Sequence, residues 1–417
     1  MAFGCFGQPG RGQKAASPSL AAWHFCRISD CAEVRSGGTP ATGNPRFWNG
    51  GIPWVTPSEI AKTGKYLEKT VSTISKEGLD NSSAELLPAN TVIMCSRATI
   101  GPRAILKAPM TTNQGFKNFI CKDNLDPEFW YYYLDVVIPS FLSCASGNTF
   151  KEVSKRDVEQ TTVRLPPLSE QHRITAILSA SDRVVESKQK LLEAKQSRKR
   201  ALLQALFDPK DGIRISKFFG SWRSETLQGI GNFEKGHGIT NSQCLSGDCP
   251  CVKYGDIYVC YDTHFSKAQS HTTETVFRES LRVEAGSLLF TCSGEEPLDI
   301  GKCVVYMGTE PIAVGGDILV FHSYKHDPLF LAYQQQTSPL IRQKASLAKG
   351  QSIFHIHLPE IQGLQVCVPP TIEEERAIAQ TLLTADREID GLAREINAWK
   401  EKRKALSQLL LSGKVRV

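Results

Sequence analysis

"LPPLSEQHRITAIL" (165–178) and "VPPTIEEERAIAQTLL" (368–383) are two copies of one element. An offset of 204 aligns Pro166 with Pro370, Glu170 with Glu374, Ile174 with Ile378, Leu178 with Leu382, Asp182 with Asp386 and Arg183 with Arg387. It continues through Ala194/Ala398, Ala201/Ala405, Leu202/Leu406, Gln204/Gln408, Leu206/Leu410 and Lys210/Lys414. These are 12 identities between residues 166 and 210, where average composition gives roughly three. A repeat at one offset means that one structural unit is used twice.

Both copies read as helices. In the second, Ile378, Leu382, Ala385, Ile389, Leu392, Ile396, Trp399, Leu406 and Leu410 recur at spacings of three and four, broken only at Arg403. The first copy has Ile174, Leu178, Val185, Leu192, Leu202 and Leu206, with Ser181, Lys188, Lys195 and Lys199 interrupting the stripe. Neither helix can bury such a stripe alone, so each needs a packing surface. Ser169 and Glu170 behind the proline pair mark a start, "DPKDG" at 208 and "SGK" at 412 mark stops, and "SASD" at 179 suggests a bend. Up to about 26 to 38 helical residues would span roughly 40 to 57 Å.

Upstream the halves drift but stay traceable. "IPWVTPSEI" at 52 faces "CPCVKYGDI" at 249, "SGNTF" at 146 faces "KGQSI" at 349, and "MCS" ending at Ser96 faces "TCS" ending at Ser293. The last pairing, at offset 197, makes Gly294 the counterpart of Arg97. Short extended runs such as "NTVIMC", "FKNFIC", "GSLLFTC" and "DILVFH" alternate with Gly, Pro and Asn clusters, and each half has one helix opened by Asp-Pro, at 126 and at 327. The chain therefore reads as an α+β protein: an N-terminal extension (1–22) expected to be disordered, a mixed α/β module (23–165), a helical segment (166–212), a second module (213–369) and a second helical segment (370–417).

Composition narrows the function. With 41% hydrophobic and 22% charged residues the chain is globular, and no apolar run reaches the length of a membrane span. Thirteen scattered cysteines read as reduced thiols, which with the absence of a secretory leader predicts a cytoplasmic protein. A net charge of +6 permits a polyanionic partner without identifying one. No phosphate loop, dinucleotide turn or Asn/Asp-Pro-Pro-aromatic methyltransferase signature is found, so no catalytic residue and no cofactor is assigned to this chain. Cys244, Cys249 and Cys251, with Cys260 and His264 downstream, lack the paired spacing of a zinc site and read as small strand and core side chains, and His355 and His357 share one strand face.

Six motifs in order resemble one family: "SGGTP" at 36, "FWNGGIPWV" at 47, "RATIG" at 97, "TNQGF" at 112, "SGNTF" at 146 and "LPPLSEQHRI" at 165. They are similar to the DNA-specificity subunits of type I restriction-modification enzymes, from about residue 23 onward. The second half departs from that pattern, with "AVGGD", "CSGEE" and "TIEEER" in the corresponding places. The resemblance implies two target-recognition domains separated by two long antiparallel helices with a pseudo-twofold repeat, each domain reading half of a split site in double-stranded DNA. It also implies docking of two methyltransferase subunits and recruitment of restriction/translocase subunits, with S-adenosylmethionine, ATP and Mg carried by those partners. Ser36, Thr39, Ser96, Arg97, Thr99, Gln114, Asn148, Thr149 and Lys151 in the first half carry donors suited to bases and phosphates, as do Lys235, His237, Thr240, Ser293, Lys349, Gln351 and Ser352 in the second. Two rival readings are a helical scaffold that binds no DNA and a diverged, self-sufficient DNA methyltransferase.

Overall fold

A computed structural model describes residues 22–146, 151–207, 222–239, 241–244 and 247–417. The N-terminal extension up to residue 21 lies outside these, as do the predicted contact residues Asn148, Thr149 and Thr240. The chain divides into two compact units, residues 1–187 with 396–417 and residues 188–395.

The first unit is built on β1 (His24–Arg27), β2 (Ala32–Ser36), β3 (Tyr66–Leu67), β4 (Val92–Cys95), β5 (Arg103–Leu106), β6 (Phe116–Cys121) and β7 (Thr162–Leu165). Five of these form a sheet in the order β2-β6-β4-β5-β3, with β3 parallel to β5 and the other pairs antiparallel. The central strand β4, "VIMC", is buried at every position, as expected of a short continuous apolar run covered on both faces. β1 pairs with β7 separately. Helix α1 (Pro127–Cys144) starts where Asp126 accepts a hydrogen bond from Phe129 N and a proline fills the first turn. It lays Phe129, Trp130, Tyr133 and Val137 on the sheet, and Ile174 and Leu178 of helix α2 (Leu168–Phe207) close the same core.

The second unit repeats the plan with β8 (Arg223–Thr226), β9 (Gly231–Lys235), β10 (His264–Phe265), β11 (Leu288–Thr291), β12 (Cys303–Tyr306), β13 (Ile318–Ser323) and β14 (Gln365–Val368). The sheet order is β9-β13-β11-β12-β10, and β8 pairs with β14. The Asp-Pro helix differs. Asp327 opens α3 (Pro328–Gln334), but a fresh helix α4 (Ser338–Leu347) follows instead of one continuous helix. Thr337, extended at φ −75° and ψ 148°, caps the new helix and Pro339 fills its first turn, whereas the first unit's helix runs on through its own Pro139. Helix α5 (Ile372–Leu411) ends the chain's regular structure.

The two repeat segments thus form uninterrupted helices of 40 residues each, about 60 Å long, with no break at "SASD". They run antiparallel against each other inside each unit. In the second unit, Lys188 and Lys195 of α2 reach Glu395 and Glu388 of α5 at 2.6 and 2.7 Å. Of the seam positions, Ile174, Leu178, Leu206, Ile378, Leu382, Leu392, Ile396 and Leu410 are buried, whereas Val185, Leu192, Leu202, Ile389, Trp399 and Leu406 are half-buried. The lysines that interrupt the first stripe are therefore the cationic half of cross-seam ion pairs.

One contact set recurs in both units. Asp182 accepts from the Tyr132 hydroxyl at 2.6 Å and pairs with Arg403 at 2.9 Å. Asp386, at the equivalent repeat position, accepts from Tyr333 at 2.6 Å and pairs with Lys199 at 2.5 Å. Burial first, and then the carboxylate, push both phenols well above their ordinary pKa. The Glu-Gln element is recreated too. Gln171 Oε1 accepts from Asp126 N and its amide donates to two carbonyls, while Glu375 accepts from Asp327 N and bonds His326. Both residues pin the start of the Asp-Pro helix to the long helix.

Candidate nucleic-acid interface

In the first unit β2 ends at Ser36, β4 ends at Cys95 and β6 begins at Phe116. Because these neighbours are antiparallel, all three of the flanking turns lie at one end of the sheet. Gly38 N donates to Thr112 O at 2.9 Å, and its carbonyl accepts from Trp54 Nε1 at 2.9 Å. A Cβ at Gly37 would stand 1.9 Å from Asn113 O, so only glycine lets these turns approach so closely. Across this contact the Thr39 hydroxyl bonds Gln114 Oε1, and Gln114 remains exposed.

Ser96 is a correction to the expected contact set. It is fully buried, its N–H and hydroxyl both donate to Gly115 O, and its oxygen accepts from Lys117 Nζ at 3.2 Å. Its polar atoms are spent tying two turns together. The next residues turn outward, with Ala98 in the left-handed region at φ 62°, which places Arg97 and Thr99 on the surface. Ala98 N donates to Lys151 O at 3.0 Å, bringing the exposed Lys151 to the same place. Thus Ser36, Thr39, Arg97, Thr99, Gln114 and Lys151 converge.

Two residues absent from the expectation complete the cluster. Glu152 bridges Arg97 through the backbone, and its carboxylate lies 3.9 Å from Arg97 Nε and 3.5 Å from Lys117 Nζ. Lys117 is buried on β6, and desolvation holds its ammonium below the ordinary lysine range, with Glu152 opposing.

The second unit converges likewise. β9 ends at Lys235, β11 at Thr291, and β13 begins at Ile318. Gly236 N donates to Ile318 O at 2.9 Å and Cys292 N to Asp317 O at 3.1 Å. Lys235 and His237 are exposed here. Ser293 pairs with His355, which also pairs with Lys349, and exposed Gln351 and Ser352 lie just beyond. Ser293 Oγ is 3.1 Å from His355 Nδ1, and Lys349 Nζ is engaged by Glu360 at 2.8 Å.

This pairing corrects the register between the halves. Val92 lies between Phe119 and Ile105 as Leu288 lies between Phe321 and Val305, which is offset 196. Val153 N donates to Ser96 O as Ile356 N donates to Cys292 O. The counterpart of Ser96 is therefore Cys292, and that of Arg97 is Ser293 rather than Gly294. By the same ladders Glu152 corresponds to His355 and Lys117 to Leu319.

Cys244 and Cys251 sit 3.9 Å apart, and Cys249 lies 3.0 Å from Glu274. Among the described residues no group of three or more His, Cys, Asp or Glu is arranged to hold a metal ion. None of the described helices is long and apolar enough to cross a membrane.

Such a protein, with duplicated α/β units, paired long helices and turn clusters rich in donors, is similar to known DNA-recognition subunits. Residues 21–195 match the family described as type I restriction modification DNA specificity domain. Over 95% of its length the chain is 24% identical to the type I restriction enzyme MjaIX specificity subunit of Methanocaldococcus jannaschii, covering 94% of that protein. It is 29% identical to the EcoR124I/EcoR124II specificity subunit of Escherichia coli over 38% of this chain and 41% of that one. The crystal structure of the type I restriction-modification S subunit from M. genitalium shares the fold, with a TM-score of 0.58 at 15% identity over 95% of this chain and 97% of that one. Over nearly its whole length the chain is thus similar to specificity subunits of type I restriction-modification systems, and the family match itself lies in the first half of the chain.

Proposed function

We propose that this subunit reads a bipartite duplex site, one half-site per unit, and that its paired helices set the spacer between them. The observation that carries this reading is the convergence, in each unit, of separate turns at one end of the central sheet. Exposed Arg97, Gln114 and Lys151 in one unit, and Lys235, His237 and Gln351 in the other, offer base-edge and phosphate donors there. The domains are residues 23–165 and 213–369, and the segments 166–212 and 370–417 dock two methyltransferase subunits in equivalent ways, restriction subunits joining that core. S-adenosylmethionine, ATP and Mg belong to those partners, and the assembly works in the cytoplasm.

Mapping methylated adenines in a host that expresses the chain with its modification subunits tests the reading. The expected result is a split motif with a fixed unread spacer. A contiguous motif, or methylation by the purified chain alone, would overturn it.

A further inference from the structure

We infer that Glu152 is a specificity-determining positioning residue of the first unit: anchored on buried Lys117, its carboxylate holds Arg97 by the Nε edge and aims the guanidinium fork at a base. The inference rests on the DNA-reading proposed above.

The anchor is tied down by backbone and side-chain contacts. Glu152 exchanges both backbone hydrogen bonds with Ser146, at 3.1 and 2.9 Å, and the neighbouring Lys151 carbonyl accepts from Ala98 N. Lys117 Nζ stands 3.2 Å from Ser96 Oγ and 3.5 Å from Glu152 Oε1, so the ammonium is fixed from two sides. Glu152 Oε2 faces Arg97 Nε at 3.9 Å. An ion pair made through Nε leaves the two terminal nitrogens unpaired with Glu152, and a guanidinium fork of that kind can bridge guanine O6 and N7.

An uncompensated carboxylate on a phosphate-facing surface would repel DNA. Lys117 removes that penalty, since it neutralises Glu152 from beneath and leaves the positive charge of Arg97 for the duplex. The second unit supplies the comparison. Where Arg97 becomes Ser293 and Glu152 becomes His355, the buried lysine becomes Leu319, itself 3% exposed. The three positions change together, as they should if Lys117 is buried for the sake of Glu152 and Glu152 for the sake of Arg97.

The test is enrichment of a randomised duplex library by the full chain assembled with its modification subunits. Wild type, Glu152→Gln, Arg97→Ala and the double variant are compared. Glu152→Gln should lower discrimination at one base pair of the first half-site about tenfold, the scale of one bidentate base contact. It should leave the second half-site unchanged, and the double variant should match Arg97→Ala alone. Discrimination within about twofold of wild type, a loss that persists in the Arg97→Ala background, or a loss at both half-sites would overturn the inference. If wild type enriches no split motif, the DNA-reading proposal itself fails, a result distinct from these.

Discussion

At the helix seam the first unit gathers Tyr132 and Arg403 on Asp182, and the second gathers Tyr333 and Lys199 on Asp386. At the turn clusters the same two units hold Arg97, Glu152 and Lys117 in one case and Ser293, His355 and Leu319 in the other. The seam preserves geometry even where the cation changes identity. The turns preserve only the backbone ladder. Two kinds of constraint therefore act on one duplicated unit: a buried carboxylate that loses its donors costs stability wherever it sits, whereas a turn at a sheet end can exchange side chains without disturbing the sheet.

The most severe way to break this comparison is to exchange a whole cluster. Replacing residues 222–365 with the equivalent module of a relative should substitute one half-site completely and leave the other intact, as read by methylation mapping. A change in both half-sites would mean that the units do not read independently. Next in size is the seam. Asp386→Ala leaves buried Tyr333 without its acceptor and Lys199 with only the exposed Asp262, so a loss of about 3 kcal/mol is expected in chemical denaturation. Asp182→Ala should cost less, about 1 to 2 kcal/mol, because Tyr132 keeps Ser179 and Arg403 is partly solvated. The reverse order would show that the two seams are not equivalent in kind.

A subtler difference concerns the buried lysines. Lys117 has a carboxylate, but among the described residues Lys344 hydrogen-bonds the carbonyls of Gly301 and Gln335, and burial pulls its pKa down to about 8. Between pH 8 and the ordinary lysine value the unfolded chain binds a proton that the folded chain does not, so stability rises with pH across that window. The penalty is complete below pH 8. Unfolding measured at pH 8 and pH 10 should show wild type gaining on Lys344→Met by up to about 1.4 kcal/mol per pH unit. A parallel pH response in the two proteins would remove Lys344 as the cause. The smallest effect belongs to the exposed seam pairs. Lys188→Ala should cost under about 1 kcal/mol, and less in high salt.

How much of this was legible in the sequence depended on whether a signal repeats locally. The helix stripe does, so Ile174 to Leu206 and Ile378 to Leu410 mark the seam, and the lysines that interrupt it are ion-pair positions. Sheet order was not legible, because ladders join strands distant in sequence. That also hid Glu152, which an isolated backbone bridge brings to Arg97. Lys117 in "FKNFIC" looks like an exposed strand residue, yet β6 lies between β2 and β4, and all four of its first residues are buried. Aligning "MCS" with "TCS" matched serine to serine and put that turn one residue out of register, although the same offset is right for Val55 and Val252. Only the hydrogen-bond ladder shows that Cys292 stands where Ser96 does.

The core of the first unit includes Leu410 and Leu411 beside Trp23, Ile174 and Leu178. On the ribosome those leucines emerge only after the whole second unit has been translated, so the first unit must wait, incompletely packed, for its final strip of core. A nascent or truncated chain that stops short of them exposes apolar surface and invites chaperones or proteases. Completion of the first core is thereby a checkpoint on synthesis of everything that separates Leu178 from Leu410.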